Sequence, residues 1–266
     1  MALQSSHLSQ WRTIFEVPVA AIGYAEAAQL VADSLRTKSF LRVNFLNANN
    51  ANISANSPDL IAALKRSVVL SDGVGLDVAS RMLYGAPFPA NLNGTDFVPR
   101  LLKDLSQPLT IGLVGSALSV ITEAALRFAE MAPQHRFIVI SDGYFTVDTQ
   151  EKVMGNIHTV KPDILLVGMG TPSQELWTDE FIGQNECTVV LTVGALFDFI
   201  SRRVARAPLA LRNLKLEWLY RLIIEPKRLA RRYLLGNPVF ILRALHQKVL
   251  GKTEKQNDVP QNDSAV

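Results

Sequence analysis

A carboxylate between a predicted strand and two glycines is the side chain in this sequence best suited to acid–base chemistry. Asp72 lies in the segment Ser71-Asp72-Gly73-Val74-Gly75, directly after the short apolar run 67–70. Open α/β sheets bind ligands at the carboxyl ends of their strands, and glycine lets a substrate approach the backbone closely. Asp72 is therefore a candidate general base. The alternative role is an Asp-Gly turn or a helix cap.

Two further groups of polar residues lie near the ends of predicted elements. Amide side chains both donate and accept hydrogen bonds, which suits a hydroxyl-rich ligand, although some of them must cap helices. The first group follows the strand predicted at 42–46 and consists of Asn47, Asn49, Asn50 and Asn52. In the second group, Asn93-Gly94-Thr95-Asp96, either Thr95 caps the next helix or Asp96 holds a sugar hydroxyl.

Two glycine-containing turns follow other predicted strands. Gly112-Leu113-Val114-Gly115-Ser116 opens a helix, where free N–H groups attract a phosphate. It lacks the full dinucleotide spacing G-x-G-x-x-G, and a purely structural turn is an equal alternative. Farther along, the turn 168–172 places Gln174 and Glu175 in the first turn of a helix at the mouth of the sheet, with capping as the alternative role for Glu175.

Several common catalytic and metal-binding patterns are absent from the sequence. There is no Asp-x-Asp pair to hold a divalent ion against a nucleotide diphosphate, no zinc-ligand spacing, no P-loop and no G-x-S-x-G elbow. We therefore expect neither a metal nor another cofactor. Charge on a diphosphate would then be stabilised by backbone amides and arginines.

The elements that must position these residues form an α/β pattern. Short apolar runs alternate with amphipathic stretches of about 10–15 residues, which is typical of parallel βαβ units covered on both faces. Strands are predicted at 42–46, 67–70, 109–114, 136–140, 163–168 and 188–193, and helices at 57–65, 76–84, 96–105, 117–131, 147–160 and 173–184. The predicted fold is a Rossmann-like parallel sheet with flanking helices, followed by a basic helical appendage.

The last quarter of the chain differs in charge from the rest. Residues 1–199 carry 13 Lys and Arg against 19 Asp and Glu, whereas residues 200–266 carry 14 against 5. The basic part also contains aromatic and aliphatic side chains, with helices predicted at 208–224, 226–235 and 238–250. This pattern favours a surface for anionic lipid, phosphate or nucleic acid. We predict a core at 11–200, the appendage at 201–250 and a disordered tail at 251–266.

The lengths of the apolar runs and the number of cysteines indicate in which compartment the protein acts. No apolar run reaches the roughly 18 residues that suggest a membrane span, and no signal peptide opens the chain. A single cysteine, Cys187, excludes an internal disulfide framework. We expect a cytoplasmic protein that contacts a membrane from that side. Self-association is a further expectation, because a mobile appendage would leave apolar surface uncovered.

Taken together, the motifs resemble the WecG/TagA/CpsF family of glycosyltransferases, glycosyltransferase family 26. The likeness runs from about residue 17 to about residue 240 and includes five ordered blocks. These blocks are Ser71-Asp72-Gly73-x-Gly75, Asn93-Gly94-x-Asp96, Met169-Gly170-x-Pro172-x-Gln174-Glu175-x-Trp177, Arg206-Ala207-Pro208 and Glu217-Trp218-Leu219-Tyr220-Arg221-x-x-x-Glu225-Pro226. Five blocks in order are a far more specific signal than any one of them.

The resemblance implies an inverting, metal-independent transfer from a UDP-sugar to a saccharide on polyprenyl diphosphate, at the cytoplasmic face of the membrane. It places the base at Asp72, the strand-end asparagine at Asn47 and the glutamine of the glycine-proline turn at Gln174. The arginines thought to reach the diphosphate and the membrane fall on Arg221, Arg228 and Arg231, with Arg206 in a further block. Phe45 stands where many members have Thr, so a hydroxyl contact to the sugar is expected to be lost.

We therefore expect a UDP-sugar, a polyprenyl-diphosphate-linked saccharide and an anionic membrane surface as partners, without nucleic acid. Donor contacts are assigned to Asn47, Gly94, Asp96, Gly115, Ser116, Gln174, Glu175, Arg206, Arg221, Arg228 and Arg231. One alternative is a Rossmann-like oxidoreductase, which would need a glycine fingerprint and an acidic ribose ligand. Another is a non-catalytic protein that binds membrane or nucleic acid through the basic face, in which case Asp72 would be idle.

Overall fold

The computed structural model describes residues 10–205, 207–208, 211 and 217–250. Arg206 and the tail predicted at 251–266 lie outside the described residues, as do the side chains of Arg221, Arg228 and Arg231. Residues 217–250 are called the C-terminal segment below.

The centre of the fold is a sheet of eight strands in the order β1-β2-β4-β3-β8-β7-β5-β6. Only β1 and β2 pair antiparallel, and the other neighbouring strands pair parallel. The strands are β1 (Trp11–Ile14), β2 (Val17–Ala20), β3 (Leu41–Leu46), β4 (Val68–Ser71), β5 (Thr110–Gly115), β6 (Arg136–Ser141), β7 (Ile164–Gly168) and β8 (Val189–Thr192). Parallel strands need helical crossovers, and the chain supplies them.

Nine helices precede the C-terminal segment in the described part of the chain. They are α1 (Tyr24–Thr37), α2 (Ala48–Ser54), α3 (Pro58–Lys65), α4 (Val74–Tyr84), α5 (Gly94–Asp104), α6 (Leu118–Met131), α7 (Val147–Val160), α8 (Ser173–Phe181) and α9 (Leu196–Ile200). The C-terminal segment adds α10 (Glu217–Ile224), α11 (Pro226–Ala230), a π-helical turn (Arg231–Leu235) and α12 (Gly236–Val249). The fold is thus α/β, as the sequence predicts.

Both faces of the sheet are buried, which explains the continuous apolar strands. In β7, Ile164 and Leu166 join a core that includes α1, α5, α6 and α9. Leu165 and Val167 of the same strand join a core on the other face with α7 and α8. Successive side chains of a strand point to opposite faces. A strand that is buried on both faces is therefore apolar throughout and shows no alternation of polar and apolar residues.

The last helix of the C-terminal segment packs into the body of the protein. Phe240 and Ala244 are buried among residues of α2, α3 and α4, and the ring centroids of Phe240 and Phe15 lie 5.1 Å apart. Gln247 donates to the carbonyl of Thr13 at 3.0 Å and accepts from the N–H of Phe15 at 3.1 Å. The segment 201–250, predicted as an appendage, therefore includes a helix that shares a core with α2 and α4.

No element is predicted from the sequence at β1, β2, α1, α2 or α9, and for the β1–β2 hairpin and α2 there is a local reason. The turn between β1 and β2 has φ of 50° at Phe15 and 70° at Glu16, a conformation that usually requires Gly or Asn. Pro18 lies inside β2, where proline argues against a strand. The segment that forms α2 reads as a polar loop because three of its seven residues are asparagine.

Candidate active site

Asp72 lies in a cleft of about 400 Å³ at the carboxyl ends of β3 and β4, called the Asp72 cleft. One wall is polar and comes from the ends of these strands, the start of α4 and the loop before α5. The other wall comes from α9 and the C-terminal segment. The polar wall includes Asn47, Asp72, Asp77, Asn91 and Asn93, and the opposite wall includes Phe199, Trp218, Arg232, Tyr233, Asn237 and Ile241. The volume is typical of a small-molecule site.

The backbone around Asp72 is fixed from both sides. The Asp72 N–H donates to the carbonyl of Leu46 at 2.8 Å, which continues the pairing of β4 with β3 beyond the end of the strand. The Gly73 N–H donates to the side chain of Asn91 at 2.8 Å. Gly73 has φ of +91°, which favours glycine, so the chain can turn sharply into α4 directly after the carboxylate. The half-buried carboxylate is thereby held at the rim of the sheet.

Asn47 joins the carboxylate to the C-terminal segment. Its side-chain oxygen caps α2 by accepting from the Asn50 N–H at 3.0 Å, and it also accepts from the Arg232 guanidinium at 3.2 Å. Its amide nitrogen donates to Asp72 Oδ2 at 3.3 Å. One asparagine therefore serves as both a helix cap and a contact of the cleft, which accounts for two of the roles considered for the Asn47–Asn52 group.

The wall formed by the C-terminal segment is aromatic where it covers the cleft. Trp218 of α10 and Tyr233 of the π-helical turn have ring centroids 5.9 Å apart in an edge-on arrangement. The Arg232 guanidinium lies 5.7 Å from the centroid of the Tyr233 ring. A carboxylate faces this aromatic and cationic wall across the cleft, which is suitable for a ligand that carries both hydroxyl and phosphate groups.

The start of α5 borders the cleft through Asn93 and Thr95, whereas Asp96 is exposed. Asn93, and not Thr95, caps the helix, because its side-chain oxygen accepts from the Asp96 N–H at 2.9 Å. The Asn93 amide also donates to the Asp96 carboxylate at 2.9 Å. The interpretation of Thr95 as the cap of α5 is therefore wrong. The N-cap residue is Asn93, two positions earlier, and its side chain satisfies an N–H group that has no partner within the helix.

Phe45 packs below this helix start and does not line the cleft. Its ring is 7% exposed, and a Cβ added to Gly94 would lie 3.4 Å from it. The Phe97 ring centroid lies 6.0 Å from that of Phe45. The side chain at this position therefore belongs to the core on the α5 face, and Gly94 allows α5 to approach it closely.

Gln174 and Glu175 are buried beside the ends of β7 and β8, away from the residues that line the cleft. The side-chain oxygen Oε1 of Gln174 accepts from the N–H groups of Gly170 and Gly194, at 3.2 and 3.1 Å. Its amide donates to Glu175 Oε1 at 2.8 Å, which also accepts from the Thr171 hydroxyl at 2.8 Å. Burial raises the pKa of Glu175. In this arrangement, Gln174 joins the loops that follow two neighbouring strands.

Gly115 and Ser116 lie at the end of β5, three strand positions from β3. With strands about 4.8 Å apart, this is roughly 14 Å along the same edge of the sheet. A Cβ on Gly115 would lie 2.4 Å from the Gly168 carbonyl oxygen, so glycine is required for β5 and β7 to approach. The Ser116 N–H donates to that same carbonyl at 2.9 Å. The turn is thus hydrogen-bonded to the end of β7, and α6 begins directly after it, at Leu118.

The sequence-predicted residues therefore fall into two places on one edge. One place is the Asp72 cleft, which is bordered by Asp72, Asn47 and the start of α5 around Gly94. The other lies toward β7 and β5 and contains Gln174, Glu175, Gly115 and Ser116. Arg232, Asp77 and Asn91 border the cleft but carry no predicted role. Arg232 was recognisable only as a member of a basic helical run, and in the structure it lies in the π-helical turn with its side chain lining the cleft.

His, Cys, Asp and Glu side chains form no group of three or more that could hold a metal ion within the described ranges. None of the helices seen there combines the length and the apolar character needed to cross a bilayer.

Comparison with known proteins places this chain in a family. Residues 12–254 match the model of the glycosyl transferase WecG/TagA/CpsF family. An N-acetylglucosaminyldiphosphoundecaprenol N-acetyl-beta-D-mannosaminyltransferase of Bacillus spizizenii is 31% identical over 186 residues, which cover 69% of this chain and 70% of that protein. A protein of the same name from Staphylococcus aureus strain NCTC 8325 is 32% identical over 187 residues, covering 68% and 70%. The chain therefore belongs to the WecG/TagA/CpsF family of glycosyl transferases.

Proposed function

We propose that this protein transfers a sugar from a UDP-sugar to a saccharide carried on polyprenyl diphosphate, with inversion at the anomeric carbon and without a metal ion. The acceptor class comes from the names of the relatives, which act on an N-acetylglucosaminyl-diphospho-undecaprenol. The observation that carries the proposal is the position of Asp72. Its carboxylate borders a cleft that combines amides, an arginine and aromatic rings.

The proposed step is a direct displacement. Asp72 accepts the proton of the acceptor hydroxyl while that oxygen forms a bond to the anomeric carbon. The bond from this carbon to the diphosphate oxygen breaks on the opposite face, and UDP leaves with the electron pair. General-base catalysis of this kind contributes about 10²–10⁴-fold. The amide of Asn47, 3.3 Å from Asp72 Oδ2, would keep the carboxylate oriented toward the acceptor.

The donor is proposed to lie along the carboxyl edge of the sheet. Its sugar would occupy the Asp72 cleft, and its nucleotide would extend toward the loops after β8, β7 and β5, where Gln174 joins Gly170 to Gly194. Arg232 reaches the cleft from the C-terminal segment and would neutralise the departing diphosphate. We propose the same role for Arg221, Arg228 and Arg231 because the family resemblance assigns it to them, and a donor contact for Arg206, which lies in a further block of the resemblance.

Attachment to the cytoplasmic face of a membrane is part of the proposal, because the acceptor resides there. The C-terminal segment exposes large apolar side chains close to its cations: Ile223 is 71% exposed and Leu234 is 64% exposed. A basic residue near an acidic surface contributes about 1 kcal/mol. A few cations with these apolar residues are enough for weak, salt-sensitive attachment.

The proposal is tested by incubating the protein with a panel of UDP-sugars and a short-chain lipid-diphosphate N-acetylglucosamine, then weighing the products. We expect one UDP-sugar to add a single sugar to the acceptor, with equal yield in EDTA. The linkage of the product, read by NMR, should show the inverted anomeric configuration. Absence of product with every donor, or loss of product in EDTA, would contradict the proposal.

A further inference from the structure

We propose that the groove between α4 and α12 binds the isoprenoid chain of the acceptor next to its diphosphate. This inference rests on the proposed function, since it assumes that a polyprenyl-linked saccharide enters the Asp72 cleft. The two helices contact each other, and each contributes residues that line the Asp72 cleft, Val74 and Val78 from α4 and Asn237 and Ile241 from α12.

The α4 side is formed by valines one helical turn apart. Val74 and Val78 line the cleft and are 38% and 37% exposed. Gly75 between them lets α4 approach α2, because a Cβ there would lie 2.8 Å from Ala48 Cβ, and it is in ordinary contact range of α12, with the Phe240 ring at 3.9 Å. Residues four apart lie on the same face of a helix, so the two valines form one continuous strip.

The α12 side continues the strip away from the cleft. Asn237 and Ile241 line the cleft, and Leu245 follows at the same spacing of four residues with 44% exposure. The opposite flank of α12 is occupied, since Arg243 donates to the carbonyl of Asn52 at 2.7 Å and to the Asn56 side chain at 2.8 Å. The polar contacts of α12 with α2 therefore lie on one flank and the apolar strip on the other.

The apolar character of the strip indicates which part of the acceptor it binds. A saccharide or nucleotide needs hydrogen-bonding partners, which the amide and carboxylate side chains of the cleft supply, whereas the side chains of Val74, Val78, Ile241 and Leu245 supply none. An aliphatic chain attached to a diphosphate in the cleft would leave it through this apolar exit and remove both the valines and Leu245 from water. Continuity with the cleft thus favours the acceptor's own lipid over an unrelated ligand.

The test uses two acceptors that differ only in the lipid, both without detergent. One is N-acetylglucosaminyl diphosphate esterified to a farnesyl chain, and the other carries a methyl group instead. Leu245→Asn changes the groove outside the cleft, and Val239→Asn is the matched control, because Val239 is 42% exposed on the same helix and lies one turn before Arg243, on the flank away from the strip. Both side chains are exposed, so both variants should fold. Leu245→Ile should restore the wild-type behaviour.

We expect the wild type to have a lower KM for the farnesyl than for the methyl acceptor. Leu245→Asn should raise the farnesyl KM about fivefold or more and leave kcat and the methyl KM within about twofold, whereas Val239→Asn should change neither KM. Equal effects on both acceptors, or no effect on the farnesyl KM, would overturn the inference. A lower oligomeric state of Leu245→Asn with an unchanged farnesyl KM would assign the groove to a contact between copies and also overturn it.

A binding titration keeps this test separate from the proposed function. Both acceptors are titrated into the wild type and the two variants by calorimetry. If no acceptor is glycosylated, the proposed function fails, whereas tighter farnesyl binding that Leu245→Asn weakens would still support the groove. If the two acceptors bind equally to the wild type, the groove inference fails even when transfer occurs.

Discussion

At the scale of single residues, Asn47 connects three parts of the site. Its oxygen caps α2 and accepts from Arg232, while its amide donates to Asp72. These contacts link a strand end, a helix start and the C-terminal segment through one side chain. The position of Asp72 relative to Asn47 was predictable, because both follow apolar strands that pair in parallel. The contribution of Arg232 was not, because its direction depends on the π-helical turn.

A buried carboxyl group gives a prediction about stability at this scale. Burial raises the pKa of Glu175 above its ordinary value of 4.5. The folded state then holds the Glu175 proton more tightly than the unfolded chain does. The free energy of unfolding should therefore fall as the pH rises from about 4.5 through the raised pKa. Glu175→Gln removes this titration and keeps an oxygen for the bonds from Thr171 and Gln174.

We expect the free energy of unfolding of Glu175→Gln to vary less with pH above 4.5 than that of the wild type. The measurement is denaturant unfolding at a series of pH values. Glu180→Gln is the control, because Glu180 is exposed on the same helix. The same pH dependence in the wild type and Glu175→Gln would show that Glu175 does not retain its proton in the folded protein.

At the scale of elements, α12 anchors the C-terminal segment to the body. The sequence predicts a helix here but places it in an appendage, because its basic surroundings resemble the rest of the last quarter. What the sequence does not reveal is the partner of its buried face. That face packs on α2 and on the β1–β2 hairpin. Neither element is predicted from the sequence, because α2 is rich in asparagine, β2 contains a proline and the turn of the hairpin has positive φ angles without glycine.

Removing the anchor should destabilise the whole fold. Gln247→Ala leaves the Phe15 N–H without the side-chain oxygen to which it donates, whereas the Thr13 carbonyl keeps the hydrogen bond from the Tyr84 hydroxyl. Unsatisfied buried polar groups cost about 1–3 kcal/mol, so we expect the free energy of unfolding to fall by about that amount. Denaturant unfolding measures it, with Lys248→Ala, a change at the exposed neighbouring position, as the control. Equal stability of the two variants would mean that α12 is not held through Gln247.

At the scale of the whole molecule, the charge asymmetry of the sequence and the apolar surface of the structure belong to the same segment. The exposed apolar residues of α10 and the π-helical turn include Leu219, Ile223, Leu234 and Leu235. The α/β class and the use of the sheet's carboxyl edge followed from periodicity alone. The pairing of the last helix with the first hairpin did not, since such contacts join residues more than 200 positions apart.

Membrane attachment is best tested by substitution in the full chain, because truncation at residue 201 would remove α12 from its core. We expect Ile223→Asp combined with Leu234→Asp to lower sedimentation with anionic vesicles several-fold, since both changes remove exposed apolar contacts and add negative charge. Leu126→Asp, at a residue that is 60% exposed on α6, is the control. Equal sedimentation of all three proteins would exclude this surface as the attachment site.

The central claim, that Asp72 is the base, is tested most directly by single-turnover transfer in Asp72→Asn and Asp77→Asn. Both carboxylates line the cleft, and the exchanges are isosteric. Asp72→Asn should slow transfer about 10²–10⁴-fold while UDP binding, measured by calorimetry, stays close to wild type. Asp77→Asn should retain most of the rate. Near-normal transfer by Asp72→Asn, or a larger loss in Asp77→Asn, would contradict the assignment.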